Sequence, residues 1–278
     1  MKDIAVVTRM LEKRTKKMRI NIIKMLGCSR SGHPGGSLSA IDIISTLFLH
    51  TMNVDPKEPK MEGRDRFILS KGHAAPALYA ALVEAGFFPE EKLWGLRKIN
   101  CGLSGHPDMK KIPGVDMTTG SLGQGLSVAN GMALAAKLKG EKSRVYVMMG
   151  DGEMQEGQIW EAAMTSSHRK LDNVCAVLDY NGLQIDGPIS RVKSGLEPIA
   201  VKWKAFNWNV IEIDGHNYKE IIEAFDAAKT RTGAPTIVIA KTVKGKGVSF
   251  MEGKVEYHGT PPTPEEEARA LKEFGCGE

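Results

Sequence analysis

Apolar residues at Val7, Met10, Leu11, Met18, Ile22 and Met25 follow the three-and-four spacing of a single helix face, which predicts an amphipathic opening helix stopped near Gly27. After the Gly- and Pro-rich run from Ser31 to Gly36, Ser37 is placed to cap a second helix through Ile41, Ile44, Leu47 and Phe48. Short apolar runs then read as buried strands at Phe67 to Leu69, Val145 to Met149, Val174 to Leu178, Val210 to Ile213 and Thr236 to Ala240. Helical patterns separate them, at Ala74 to Glu84, Leu122 to Lys139, Met154 to His168 and Tyr218 to Lys229. Alternation of this kind predicts an α/β fold, a parallel sheet with helices on both faces forming three layers.

Neither an internal repeat nor a Ser/Gly linker divides the chain, so residues 1–278 are expected to form one domain. Residues Pro261 to Glu267, with three prolines and three glutamates, begin a tail or a short capping helix. At 278 residues the chain can bury roughly three quarters of its unfolded surface and needs no disulfide or structural metal. Cys28, Cys101, Cys175 and Cys276 lie too far apart for a CxxC pair, and free thiols in a reducing cytoplasm are expected.

The charge balance, 38 Lys and Arg against 33 Asp and Glu, is mildly basic. Lys13, Arg14, Lys16, Lys17 and Arg19 have no aromatic residues interleaved for base stacking, which argues against nucleic acid and for a solvated helix face. The charge-free stretch from Met117 to Ala136 is too rich in Gly, Ser, Thr, Asn and Gln for a membrane span.

Chemistry concentrates where strands end. Val145 to Met149 runs into Gly150-Asp151-Gly152-Glu153, and the next strand into Asp179-Tyr180-Asn181-Gly182-Leu183. In a parallel sheet both segments reach the edge where ligands sit, delivering Asp151 and Asn181 together. A carboxylate, an amide oxygen and a backbone carbonyl suit a small hard cation such as Mg²⁺ whose other ligands come from a diphosphate and water. The plainer account, a turn with Asp151 as a helix cap, weakens once Asn181 stands in the matching place. Thr118 to Gly125 opens a helix, but its glycines fall as GxxGxG, not as a dinucleotide fingerprint, and no Walker A sequence is present. Four histidines, His33, His73, His106 and His258, sit beside glycine. Converging on a pocket they would suit a polyhydroxylated, phosphorylated ligand, and no pair has zinc-site spacing. His50, His168 and His216 are read as structural or surface residues; Lys241, Lys244 and Lys246 could meet a phosphate, but a solvated loop is the preferred reading.

Taken together these segments resemble the thiamine diphosphate enzymes, and transketolase in particular. The resemblance is carried, in order, by Ser31-Gly-His-Pro-Gly-Gly36, Ser70-Lys-Gly-His73, Gly105-His-Pro-Asp108, Thr118 to Gly125, Gly150 to Gly157, Asn181 to Gly187 and His258-Gly259. It implies the thiamine diphosphate-binding fold, with Asp151, Asn181 and the carbonyl of Leu183 holding Mg²⁺ or another divalent cation such as Ca²⁺. It further implies that Gly152, Glu153, Asn181, His73 and His258 line the diphosphate, and that Gly120, Ser121 and Leu122 meet the thiazolium ring. His33, His106 and His258 match histidines that contact sugar hydroxyls and the reacting carbonyl, and Glu156 matches a carboxylate in a proton network between active sites. Ser121 stands where many members carry Pro.

Single-chain members continue into a pyrimidine-binding domain, whose glutamate activates the cofactor, and a third domain. This chain therefore resembles the N-terminal subunit of a split transketolase of the pentose phosphate pathway type, silent alone and expected in an α2β2 assembly with a separate C-terminal subunit. Its implied reaction moves a two-carbon ketol unit from a ketose phosphate such as xylulose 5-phosphate to an aldose phosphate such as ribose 5-phosphate. The competing readings are the α subunit of a 2-oxoacid dehydrogenase, a deoxyxylulose-phosphate synthase and a non-catalytic thiamine diphosphate sensor.

Overall fold

The computed structural model describes residues 3–276. Helix α1 (Ile4–Ser29) is followed by α2 (Pro34–Thr46), which ends in a wider turn over Leu47–Thr51, then by β1 (Arg66–Leu69) and α3 (Ala75–Ala85). Helix α4 (Gly125–Leu138) leads to β2 (Val145–Gly150), α5 (Gly157–His168) and β3 (Val174–Tyr180). A small hairpin, β4 (Leu183–Gln184) with β5 (Gly187–Pro188), precedes the short helices α6 (Ile189–Val192) and α7 (Ile199–Ala205). The chain closes through β6 (Asn209–Asp214), α8 (Tyr218–Thr230), β7 (Thr236–Lys241) and α9 (Pro264–Glu273).

Five strands form one parallel sheet in the order β1-β2-β3-β7-β6. Because side chains alternate along a strand, Tyr146, Met148, Cys175, Val177, Val238 and Ala240 face a core shared with α1, α2, α3 and α8. Val145, Val147, Met149, Val174, Ala176, Leu178, Ile237 and Ile239 face a second core with α4, α5 and α7. Both faces are covered, which is why these strands read as continuous apolar runs and not as alternating ones. The expected three-layer α/β architecture is the one observed.

Several boundaries differ from the pattern-based expectation for local physical reasons. Helix α1 passes through Gly27 and stops at Ser29, where Arg30 takes up left-handed geometry (φ 51°) and returns its N–H to Leu26. Ser37 is not a cap: Pro34 occupies the first turn of α2, and the Ser37 hydroxyl donates to the His33 carbonyl at 2.7 Å. Helix α4 begins at Gly125, not Leu122, because Gly120 (φ 145°) and Gly123 (φ 84°) hold the preceding residues in a turn. The segment after Pro261 is a docked helix, opened by a capping box between Thr263 and Glu266 and packed through Ala270 and Phe274. In the basic run of α1, Arg19 departs from the expected solvated face: it is buried and paired with Asp42 at 2.6 Å.

Cys28 and Cys101 are exposed, Cys175 is buried and Cys276 half-buried, all as free thiols. Among the described residues no helix is long and apolar enough to cross a membrane.

Candidate functional site

At the carboxyl end of the sheet, Gly150 lies in register with Asp179, so the segments leaving β2 and β3 run side by side. Asp151 accepts the N–H of Gly152 at 2.7 Å with one oxygen and that of Gly182 at 2.6 Å with the other. It thus caps a short turn, as the plainer sequence account held, and also ties the two strand ends together. Burial, reinforced by the nearby charge of Asp179, pushes its carboxyl up to about 6. Asn181 accepts the Leu183 N–H at 3.1 Å, and Asp151, Asn181 and Leu183 all border one cavity of about 310 Å³.

A second carboxylate braces the backbone around this cavity. Glu153 is buried, and its oxygens accept the Ser70 hydroxyl, the Gly123 N–H at 2.9 Å and the Gly150 N–H at 3.0 Å. One side chain therefore fixes the ends of β1 and β2 and the turn before α4. Its carboxylate is turned into these loops, so what it contributes at the cavity wall is backbone position.

Three imidazoles converge across the cavity. His33, His73 and His258 have ring centroids 5.2 to 5.7 Å apart, with His73 and His258 stacked. Burial, together with neighbouring Arg and Lys charges, holds His33 down to about 4 and His258 to about 3, with His73 also far below its ordinary value. All three are neutral at pH 7. Nδ1 of His33 is buried with no hydrogen-bond partner among the described residues. His106 is exposed at the mouth, beside Gly120, where an added Cβ would lie 3.1 Å from its ring.

Two lysines join the site that sequence reasoning did not assign to it. Lys71 is buried, bonds Asp179 and the Gly36 carbonyl, and borders the cavity. Lys244 was expected on a solvated loop, yet its side chain is buried and its Nζ lies 3.1 Å from His258 Nδ1. Burial and the charge of Lys71 bring Lys244 down to about 8. Lys241 is exposed and Lys246 half-buried, outside the cavity lining. A signal was present for both missed residues, since each lies within three residues of a strand's carboxyl end.

His33, His73, His106, Gly120, Leu122, Asp151, Gly152, Glu153, Asn181, Leu183 and His258 thus share one cavity. Ser121 and Glu156 do not line it. Ser121 is exposed on a neighbouring groove with Met117, Thr119 and Val128. Glu156 is exposed at the start of α5, packed over Gly123, where a Cβ would lie 2.8 Å from its own. Of the histidines set aside as structural, His168 is exposed and His216 is hydrogen-bonded to Asp42.

The donor set suits an anion and a cation together. A desolvated carboxylate raised to about 6 feels the charge of Lys71 but has no cation in direct contact among the described residues, and a divalent ion beside Asp151 and Asn181 would supply one. No group of three or more His, Cys, Asp or Glu able to hold a metal exists among the described residues, so such an ion would need oxygens from a ligand. Lys71, Lys244 and neutral imidazoles in the same lining are partners for a diphosphate.

Residues 11–277 match the family described as transketolase, thiamine diphosphate binding domain. The chain belongs to the transketolase family. This transketolase-family chain is 46% identical to a 6-deoxy-6-sulfo-D-fructose transketolase subunit of Clostridium sp. (strain MSTE9), with 93% of each chain covered. It is 42% identical to an apulose-4-phosphate transketolase subunit of Phocaeicola vulgatus, covering 95% of this chain and 93% of that one. Human transketolase is 44% identical over 252 residues, which are 90% of this chain and 40% of the human one. The crystal structure of Campylobacter jejuni transketolase superposes with a TM-score of 0.90 at 33% identity, covering 96% of this chain and 43% of that chain.

Proposed function

We propose that this chain is the cofactor-binding subunit of a two-chain transketolase that moves a ketol unit between anionic sugars. The observation that carries the reading is the meeting in one cavity of a cation edge, Asp151 and Asn181, with neutral imidazoles, Lys71 and Lys244. Asp151, Asn181 and the Leu183 carbonyl would hold Mg²⁺ or Ca²⁺; His73, His258 and the backbone at Gly152 and Glu153 would hold the diphosphate. Gly120, Ser121 and Leu122 would lie along the thiazolium ring. Bound thiamine diphosphate supplies a nucleophilic ring carbon and accepts the electrons of the breaking carbon–carbon bond.

His33, His106 and His258 then have the remaining work. A neutral imidazole can accept a sugar hydroxyl proton at one nitrogen while donating from the other. The low values of His33 and His258 are those of a cavity without an anion; a seated diphosphate and sugar phosphate would draw both back toward the working range. Glu156, exposed at the start of α5, would act across a contact between subunits.

The relatives named as subunits support a separately encoded partner; we further propose that it carries the pyrimidine-binding domain, that the assembly is α2β2 and that its setting is cytoplasmic. Those relatives are named for sulfofructose and apulose phosphate, so xylulose 5-phosphate and ribose 5-phosphate are one donor and acceptor pair among several to try. The test is a coupled assay of this chain, its neighbouring-gene partner and both together, with thiamine diphosphate, Mg²⁺ and each donor in turn. Turnover by the mixture only supports the split enzyme. Pyruvate turnover would favour the dehydrogenase or synthase reading, and cofactor binding without turnover of any donor would favour a sensor.

A further inference from the structure

Asp42, in α2, is buried and absent from the cavity lining, yet its carboxylate gathers three partners. Arg19 of α1 donates to Oδ2 at 2.6 Å, His216 Nδ1 meets the same oxygen at 2.6 Å, and the Tyr218 hydroxyl donates to Oδ1 at 2.7 Å. Two of these partners reach onward to the loop that follows β7. His216 Nε2 accepts the Val243 N–H at 2.9 Å. That bond fixes the tautomer, because the proton must then sit on Nδ1 and be donated to Asp42. Arg19 donates through Nη1 to the Lys246 carbonyl at 2.6 Å.

Between these two anchor points stands Lys244, with its ammonium against His258 at the cavity wall. The Gly245 N–H adds a bond of 3.0 Å to the Gly35 carbonyl, and α2 lies so near that a Cβ on Gly35 would be 2.7 Å from Lys244 Cγ. A buried ammonium facing the like charge of Lys71 gains by moving out to water, so a loop free to swing would release it. Something has to hold the loop in.

We infer that Asp42, acting through His216 and Arg19, clamps the Val243–Lys246 loop and so keeps the Lys244 ammonium at the cavity wall, which makes His216 a positioning residue for the anionic group the cavity receives. The identity of that anion as diphosphate or sugar phosphate rests on the proposed function; the clamp itself does not. A merely structural role for His216 would require only its bond to Asp42. The second bond, to Val243, is what serves the cavity.

The two bonds can be separated. Asn at position 216 carries its amide at about the reach of Nδ1 and keeps the Asp42 contact; Gln carries its carbonyl at about the reach of Nε2 and can still accept from Val243. The full-length chain would be labelled with trace acetic anhydride across a pH series and each lysine read by peptide mass spectrometry, with exposed Lys241 as the internal reference. The groups that set the Lys244 midpoint are Lys71, His258, Asp151 and Asp179.

In the parent chain the Lys244 midpoint is expected near 8. His216→Asn should raise it by a unit or more, lowering the neutral amine at pH 8 about fivefold or more, whereas His216→Gln should stay close to the parent. Val243→Pro deletes the donated N–H without touching the buried cluster and should reproduce the Asn result even if His216→Asn fails to fold. A Lys244 midpoint that none of the three moves, or that Asn and Gln move equally, would overturn the clamp. The labelling needs neither cofactor nor partner chain, so its outcome is independent of the coupled assay.

Discussion

The backbone N–H of Gly182 donates to Asp151 Oδ2 at 2.6 Å, joining the ends of two adjacent parallel strands through one buried carboxylate. That bond separates two roles that Asp151 fills together. In Asp151→Asn the amide oxygen still accepts from Gly182, but the NH2 then faces the Gly152 N–H, donor against donor; that loss offsets the removal of a desolvated charge, so thermal stability should change little. Binding of thiamine diphosphate with Mg²⁺ to the reconstituted enzyme should fall by at least the roughly 100-fold reached by outer-shell changes at metal sites. Calorimetric titration of both proteins checks this; undiminished affinity in the variant would remove Asp151 from the cation site.

Glu153 acts on the fold. Replacing it with Ala leaves the Ser70 hydroxyl and the N–H groups of Gly123 and Gly150 without their acceptor. Each buried donor left unsatisfied costs about 1–3 kcal/mol, so Glu153→Ala should lower unfolding stability by about 3 kcal/mol or more in urea. Glu153→Gln keeps the oxygen shared by Ser70 and Gly123 and should lose less. A loss below about 1 kcal/mol in the Ala variant would mean that water replaces the carboxylate at little cost.

Lys71 and Asp179 form a fully buried ion pair at the end of β3. Burial alone would push the Asp179 carboxyl up, but Lys71, Ser39 and Thr242 together hold it low. Lys71→Met strands that charge and should cost about 3–5 kcal/mol. Adding Asp179→Asn removes the stranded charge and should recover part of the loss, so urea midpoints for the single and double variants should run in that order. A double variant less stable than Lys71→Met would show that Asp179 is needed for its hydroxyl partners and not for its charge.

The imidazole wall makes stability depend on pH. His33 and His258 titrate below the unfolded value of 6.5, at about 4 and about 3. Above pH 6.5 both states are neutral and the pair adds no pH dependence. As pH falls from 6.5 toward 4 the unfolded chain takes up protons that the folded one refuses, and stability drops. His258→Asn removes one such group, so its melting temperature should fall less steeply than the parent's over that range. Parallel curves would mean that His258 is protonated in the folded chain as readily as in the unfolded one.

Much of this molecule was legible along the chain because the relevant signals are local. Continuous apolar runs at Val145 and Val174 mark strands buried on both faces, and glycine after each run marks a backbone that turns at the sheet's ligand edge. The order of those signals was enough for the three-layer fold, for the pairing of Asp151 with Asn181 and for the four glycine-flanked histidines, three of which meet as one cluster. What the tertiary structure decided is the state of each side chain. Whether a lysine is solvated or buried depends on what packs over it, and Lys244 is covered by α2 from more than two hundred positions away. The same holds for Arg19, which reads as surface within α1 but turns inward to Asp42. Charge, burial and protonation are set by neighbours distant in sequence, and only folding brings those neighbours together.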